Sequence, residues 1–503
     1  LNPLKKLAGQ TAIYGVGTIL ARVLNYFLLP LYTSIFAPAV FAQYNKAYAY
    51  IAILLVILTY GMETAIFNFS QKREDKAEVF STVMGSILTT TSMFWVLIFT
   101  FAGSIAHFMK YPGHTDYVIW LGLIIGLDAI SAIPMAWLRQ QSRPKVFTGI
   151  TLLNILVNIG LNLFWLLYCR NLFLDGKVEP GSFVDRVYNH DIGVGYIFIS
   201  NLIASAIKMV CCFPIMLRIP FRFNRSLLKE MLVYALPLVI SGLGFIINER
   251  LDILLLERLL PLPKELADIE IGIYGGCYKL AILMTLFIQA YRFAAEPFFF
   301  SQLKEKEPKR TYARVMNYFV MLCCFLYLIV NLYLDVFKYF IANKEFWVGL
   351  KIVPIIMMAN LFLGIYINLS MWYKLSGQTM FGVWFSVIGA IVTVVLNVIF
   401  IPTYGYMASA WTTLAAYFTM CLISYLIGRK YYPIPYNLKK IITLILVSIG
   451  LSYISMRIPF DNMVIKFLIN TALLSFFLFV VYNMDAKVRE VVITFRKKYG
   501  SKN

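Results

Sequence analysis

An all-α integral membrane protein of about fourteen transmembrane helices is the fold class this sequence predicts. Three observations carry that expectation. Apolar runs of about 20 residues, long enough to cross a hydrocarbon core about 30 Å thick, follow one another almost from end to end. The 503-residue chain is 60% hydrophobic, with a mean hydropathy of +0.75, which is too much apolar surface for water to solvate. The runs are continuous rather than alternating, which excludes a β-barrel of the outer-membrane type.

Taken in order, with ends good to about 4 residues, the segments run over roughly 10–36, 44–69, 79–107, 116–138, 146–169, 192–217 and 229–258, then 272–302, 312–336, 346–372, 378–401, 405–428, 438–456 and 463–484. The first is too long for a signal-peptide core and contains Arg22, so it is expected to stay in the mature protein. The segments end where charge or turn residues gather, as at Gln71-Lys72-Arg73-Glu74-Asp75-Lys76 and Gln140-Gln141-Ser142-Arg143-Pro144. Pro30, Pro134, Pro237, Pro297 and Pro354 lie inside apolar runs, where they free backbone carbonyls and permit bends. Ile441 to Met456 and Val464 to Tyr482, the last pair, are almost without internal charge, as befits lipid-facing helices.

Basic residues set the orientation. With a cytoplasmic N-terminus, the loops and span ends on that side hold Lys5, Lys6, Arg73, Arg143, Arg222, Lys304, Lys306, Arg310, Lys374, Arg429, Lys440 and the basic 487–502 tail, among others. That is about 28 cations against about 14 on the other side, the bias of the positive-inside rule. The bacterial inner membrane, with both termini cytoplasmic, is the expected location. The net charge of +20 is then a matter of topology and of attraction to anionic membrane lipids, not of nucleic-acid binding. The seven cysteines show no CxxC spacing and no nearby histidine pair, so no metal site is expected and they read as packing residues.

A repeat runs through the helix order. Tyr44 and Tyr48 align with Tyr274 and Tyr278, each pair leading into an unbroken apolar run, and Phe69-Ser70-Gln71 meets Phe300-Ser301-Gln302. Segment two thus resembles segment eight. An even displacement preserves orientation, so the halves would be related by an axis along the membrane normal. The expected organisation is a six-helix bundle over 1–225, a second over 226–432, a central cavity between them, and two extra helices with a tail over 433–503.

Asn25 to Pro30 in the first span, Phe41-Ala42-Gln43-Tyr44 entering the second, Asp252-Ile253-Leu254-Leu255, Ile271-Gly272-Ile273-Tyr274 and Tyr278-Lys279-Leu280 are together similar to the prokaryotic polysaccharide flippases of the multidrug, oligosaccharidyl-lipid and polysaccharide exporter superfamily. The resemblance implies alternating access. It also implies an undecaprenyl-diphosphate-linked glycan as cargo, moved from the cytoplasmic to the outer leaflet, with other polysaccharide-assembly proteins as partners and the two extra helices forming a groove for the polyprenyl tail.

Ionisable residues inside the spans mark the candidate site, because each costs at least a few kcal/mol unless paired or hydrated. Arg22, Asn25 and Tyr26 share one helical face, and Gln289, Arg292 and Glu296 recur along another. Arginine forks suit a diphosphate, and amides and aromatic faces suit sugar hydroxyls, so Arg22, Asn25, Tyr26, Gln289 and Arg292 are the substrate-binding candidates. An i to i+4 pair of Arg292 with Glu296 is the competing structural reading. Glu63, Asp128, Glu249, Asp252 and Glu296 are candidates for a coupling proton or sodium ion; no other cofactor is expected. Asp128 has Ser131 at i+3, Glu249 and Arg250 are expected on different faces, and Glu257 and Arg258 read as solvated surface charges. Asn154, Asn158 and Asn162 form a ladder suited to interhelical hydrogen bonds, with glycan binding as the alternative reading.

No Walker A motif is present, and the largest outer connection, Arg170 to Asp191, reads as a solvated loop rather than a catalytic domain. A lipid II flippase, a multidrug cation antiporter and a membrane-embedded glycan polymerase or ligase remain as alternatives, and the first shares the diphosphate. Orientation is testable by cysteine labelling with an impermeant reagent. A cysteine at Gly181 should label from outside intact cells, whereas cysteines at Arg73, Arg143 and Arg310 should label only after permeabilisation.

Overall fold

The computed structural model describes residues 15, 17–111, 113–302, 307–457, 462–485 and 489–490. The start of the first segment, Lys5, Lys6, Lys304, Lys306 and most of the basic tail lie outside the described residues, as do the side chains of Pro297, Phe300 and Ser301. Fourteen helices among the described residues are long and apolar enough to cross a bilayer. They are α1 (Gly17–Ile35), α2 (Pro38–Lys72), α3 (Lys76–Phe108), α4 (Thr115–Gln140), α5 (Pro144–Leu174), α6 (Gly195–Leu217), α7 (Arg225–Leu259), α8 (Lys264–Gln302), α9 (Pro308–Leu332), α10 (Lys344–Leu375), α11 (Met380–Tyr404), α12 (Tyr406–Tyr431), α13 (Leu438–Arg457) and α14 (Met463–Met484). No strand occurs among the described residues.

Capping and breaks explain the boundaries. Asp75 opens α3 by accepting from the amides of Ala77 and Glu78 at 3.0 and 3.1 Å, and these bonds, with Arg222 at 2.9 Å, hold its carboxyl below the usual range. Asn224 caps α7 through the amide of Leu227. Pro38, Pro144 and Pro308 stand at the first turns of their helices, where a missing amide hydrogen costs nothing. Prolines 134 and 237 are accommodated inside α4 and α7, and Pro354 sits where the 3₁₀ start of α10 becomes α-helical. Helix α8 starts well ahead of the expected residue 272. Its first turns carry Glu265, Asp268 and Glu270, which read as loop, and the partner that makes Asp268 tolerable is described below.

The chain divides into two compact units. Unit 1 is Leu1–Gly276, Asn343–Phe346 and Thr379–Thr412, and therefore holds α1 to α7, α11 and the first parts of α8, α10 and α12. There α7 packs along α11 and against α2, α3 lies on α4, and α6 lies between α4 and α5. A core of Met62, Ile66, Phe80, Val83, Ile133, Trp137 and Met231 joins α2, α3, α4 and α7. Unit 2 is Cys277–Ala342, Trp347–Gln378 and Thr413–Asn503, and in it α9 packs on α10, α13 and α14. All seven cysteines are unbridged.

Two glycines in unit 1 permit close helix approaches. Tyr60 and Gly61 interrupt α2 with φ values of 31° and 74°, and a Cβ at Gly61 would lie 3.1 Å from the carbonyl oxygen of Ala235 on α7. At Gly272 a Cβ would come within 1.8 Å of the Pro38 carbonyl oxygen, so only glycine lets α8 pass the start of α2. Gly272→Ala should therefore force backbone movement costing about 1–3 kcal/mol and lower the apparent thermal midpoint in detergent. Gly103→Ala, with nothing within 4 Å, should leave it unchanged.

Candidate functional site

Unit 1 contains a buried charge cluster. Lys46 on α2, wholly buried, donates to Glu257 at the end of α7 at 3.0 Å and to Asp268 at the start of α8 at 2.8 Å. Its ammonium also stands 5.3 Å from the ring centre of Tyr111, whose hydroxyl donates to the Gln43 carbonyl, while Lys110 donates to the Glu257 carbonyl. The expectation that Glu257 is a solvated surface charge is corrected. Only 3% of it is exposed, because Lys46 neutralises it where water cannot. Arg258 is exposed as expected, but it is anchored over the Phe108 ring and donates to that residue's carbonyl. Lys46 escaped the sequence reading because it stands at the entry of an apolar span, where a lysine ordinarily snorkels.

Four of the five acidic candidates have a cation. Glu63 meets Arg139 at 3.0 Å, and both are about 40% exposed. Asp128 accepts from Lys208 at 2.6 Å and from Ser205 at 2.8 Å. Ser131, expected beside that carboxylate, instead donates to the backbone carbonyls of Leu127 and Asp128, as a helical serine does when it bonds back one turn. Glu249 and Arg250, expected on different faces, bridge at 3.2 Å because the long arginine side chain folds back across the helix surface. Glu296 is held by Lys374 at 2.7 Å and Arg292 at 3.2 Å. Asp252 differs. It is 2% exposed, and its carboxylate accepts from the Tyr274 hydroxyl and the Ile253 amide, with no cation at ion-pair distance among the described residues.

The substrate-binding candidates divide between the units. In unit 1, Arg22 and Asn25 are exposed and Tyr26 is half-buried on α1. Asn158 donates to Asn25 at 3.4 Å, and Asn162 accepts from the Tyr32 hydroxyl at 3.0 Å, so the asparagine ladder does join α5 to α1. In unit 2, Gln289 is half-buried and the Arg292 side chain is 54% exposed. Arg292 does pair with Glu296, but Lys374 from α10 takes the same carboxylate oxygen, so the trio has one positive charge in excess. Lys374, at the end of a span, read as an ordinary loop cation. Beside the trio, Tyr291 donates to Asn368 on α10 at 2.5 Å.

Fourteen candidate spans among the described residues, with paired charges within and beside them, define a multi-pass membrane protein, and comparisons show which folds it shares. The fold matches the lipid II flippase MurJ in its inward closed conformation, with a TM-score of 0.69 at 14% identity over 94% of this chain and 99% of that one. It also matches a MATE transporter in complex with MaD3S, with a TM-score of 0.60 at 12% identity over 89% and 98% of the two chains. An inward-facing multidrug resistance MATE transporter of the MOP superfamily gives a TM-score of 0.60 at 13% identity over 85% and 96%. No curated protein matches the chain. Residues 7–304 match the polysaccharide biosynthesis protein family, and the chain belongs to that family.

The buried cluster makes a stability prediction. Lys46→Met leaves two carboxylates facing each other without a cation, at a cost of about 3–5 kcal/mol, and should lower the thermal midpoint strongly. Arg139→Met, which breaks the half-exposed pair with Glu63, should cost about 1 kcal/mol or less. Differential scanning fluorimetry of the two purified variants checks the contrast.

Proposed function

We propose that the protein is a transporter rather than an enzyme: a flippase that carries a polyprenyl-diphosphate-linked oligosaccharide from the cytoplasmic to the outer leaflet of the bacterial inner membrane by alternating access. The observation that carries this reading is the Arg292–Glu296–Lys374 trio. Two cations share one carboxylate within or beside apolar helices, and the arginine stays more than half exposed. Such an excess of positive charge suits a phosphate-bearing headgroup and opposes a cationic drug. Membership in the polysaccharide biosynthesis family supports a glycan cargo. Arg22, with Asn25 and Tyr26, is a second candidate ligand set in the other unit.

Lipid II is the second reading, favoured by the fold similarity to a lipid II flippase over nearly the whole chain. Both cargoes present a diphosphate, so the arginines do not discriminate between them. For energy coupling, Asp252 is the candidate with the strongest structural support. The other four acids are paired with protein cations, whereas Asp252 accepts from a hydroxyl and an amide with no cation at ion-pair distance among the described residues, which leaves its charge for a proton or sodium ion to neutralise.

Proteoliposomes loaded with lipid-linked oligosaccharide, and in parallel with lipid II, test both readings. Arg292→Gln should reduce flipping about tenfold or more, since a charge-assisted hydrogen bond contributes about 1.5–3 kcal/mol. Because Lys374 still neutralises Glu296 in that variant, its thermal midpoint should move by no more than about 2 °C. Arg292→Lys should retain part of the activity. Unchanged transport by Arg292→Gln would remove the residue from the site, and faster flipping of lipid II than of the oligosaccharide carrier would favour the second reading. Asp252→Asn should abolish the response of transport to an imposed ion gradient while leaving cargo binding intact.

A further inference from the structure

A cavity of about 480 Å³, which shares no lining residue with the Arg292 trio, opens in unit 2 where α9, the connection into α13 and the end of α14 meet. Arg310, Arg314 and Asn317 line it from one face of α9, at the spacing of successive helical turns. Asn437 and Lys440 line it from the start of α13, and Asp485 from the end of α14. The charges are unequally satisfied. Lys440, only 7% exposed, is ion-paired with Asp485, so those two cancel and tie α13 to α14. Arg310 pairs with Glu307 at 2.9 Å. Arg314 has no ion pair among the described residues, and the side-chain oxygen of Asn317 is buried without a hydrogen-bond partner.

An uncompensated guanidinium beside an unsatisfied amide oxygen calls for a ligand that both accepts and donates hydrogen bonds. A phosphate accepts from arginine, and a hydroxyl donates to the amide oxygen. The helices running away from the cavity supply the remaining chemistry. Ile442 and Leu446 on α13, and Phe476 and Phe479 on α14, are roughly half to two-thirds exposed within a few turns of Lys440 and Asp485. Exposed apolar surface on both spans offers contact to acyl chains that extend past the headgroup, and a free sugar phosphate has no group to use it.

We propose that this cavity is a binding site for a hydroxyl-bearing anionic phospholipid headgroup, with the phosphate on Arg314, flanked by Arg310, a headgroup hydroxyl on Asn317, and the acyl chains against α13 and α14. The site shares no residue with the transport candidates and does not depend on the identity of the cargo.

Native mass spectrometry of the full-length protein released from mixed phosphatidylglycerol and phosphatidylcholine vesicles tests it. Phosphatidylglycerol should be retained in preference to phosphatidylcholine, and Arg314→Gln should weaken that retention roughly tenfold, the loss of one charge-assisted hydrogen bond. Asn317→Ala should weaken retention of phosphatidylglycerol but not of phosphatidic acid, whose headgroup has no hydroxyl beyond the phosphate itself. Arg314 is solvent-facing, so its variant should fold, and circular dichroism checks that. Equal retention of phosphatidylglycerol by wild type and Arg314→Gln overturns the proposal. So does displacement of the lipid by millimolar inorganic phosphate, which would make this a site for a soluble anion. Loss of undecaprenyl diphosphate binding in Arg314→Gln with phosphatidylglycerol retention unchanged would make the cavity a carrier site and overturn it equally.

Discussion

Hydrocarbon offers no hydrogen bonds, and that constraint governs every part of this molecule. A backbone polar group left bare in a bilayer costs several kcal/mol, so the chain must satisfy its amides and carbonyls within each crossing segment. The fourteen long helices are the outcome. Their outward faces carry exposed phenylalanine, leucine, isoleucine and valine, such as Phe99, Leu156, Val210, Leu236, Ile399 and Phe479, which would be a liability in water and are the natural surface toward lipid.

The same constraint disciplines the charges. At several charges within or at the ends of the helices, the fold brings a partner from elsewhere in the chain. Lys46 draws Glu257 and Asp268 from more than two hundred residues away, and Asp128 draws Lys208 and Ser205 from α6. These contacts do little as net stabilisers, because desolvation consumes most of the Coulombic gain, but they make any other arrangement of α2, α7 and α8 costly. The glycine at 272 belongs to the same arrangement. It lets α8 approach the start of α2 closely enough for Asp268 to reach Lys46.

Against that background the departures from full pairing stand out. Among the described residues, two cations on one carboxylate in the Arg292 trio, a carboxylate with no cation at ion-pair distance at Asp252, and an arginine without an ion pair near a bare amide oxygen at Arg314 are three such places. A ligand that completes them gains what the protein has left unused. The three occur on different helices and present different chemistry, which is why they are assigned to different roles.

Much of this was legible in the sequence. Hydropathy alone marks the helices, because each crossing must be long and apolar whatever surrounds it, and the polar residues that break the apolar runs, Arg22, Asp128, Asp252 and Arg292 among them, are conspicuous without a structure. The partners were not legible. That Glu257 is buried rather than solvated, that Glu296 is shared by Arg292 and Lys374, and that α8 begins in a charged stretch all depend on which helix lies beside which. Charge pairing acts through space across hundreds of residues, whereas hydropathy acts along the chain within a single turn-by-turn segment. The sequence therefore determined how many times the chain crosses and where its costly residues sit, and only the tertiary structure decided which of them are neutralised and which are left for a ligand.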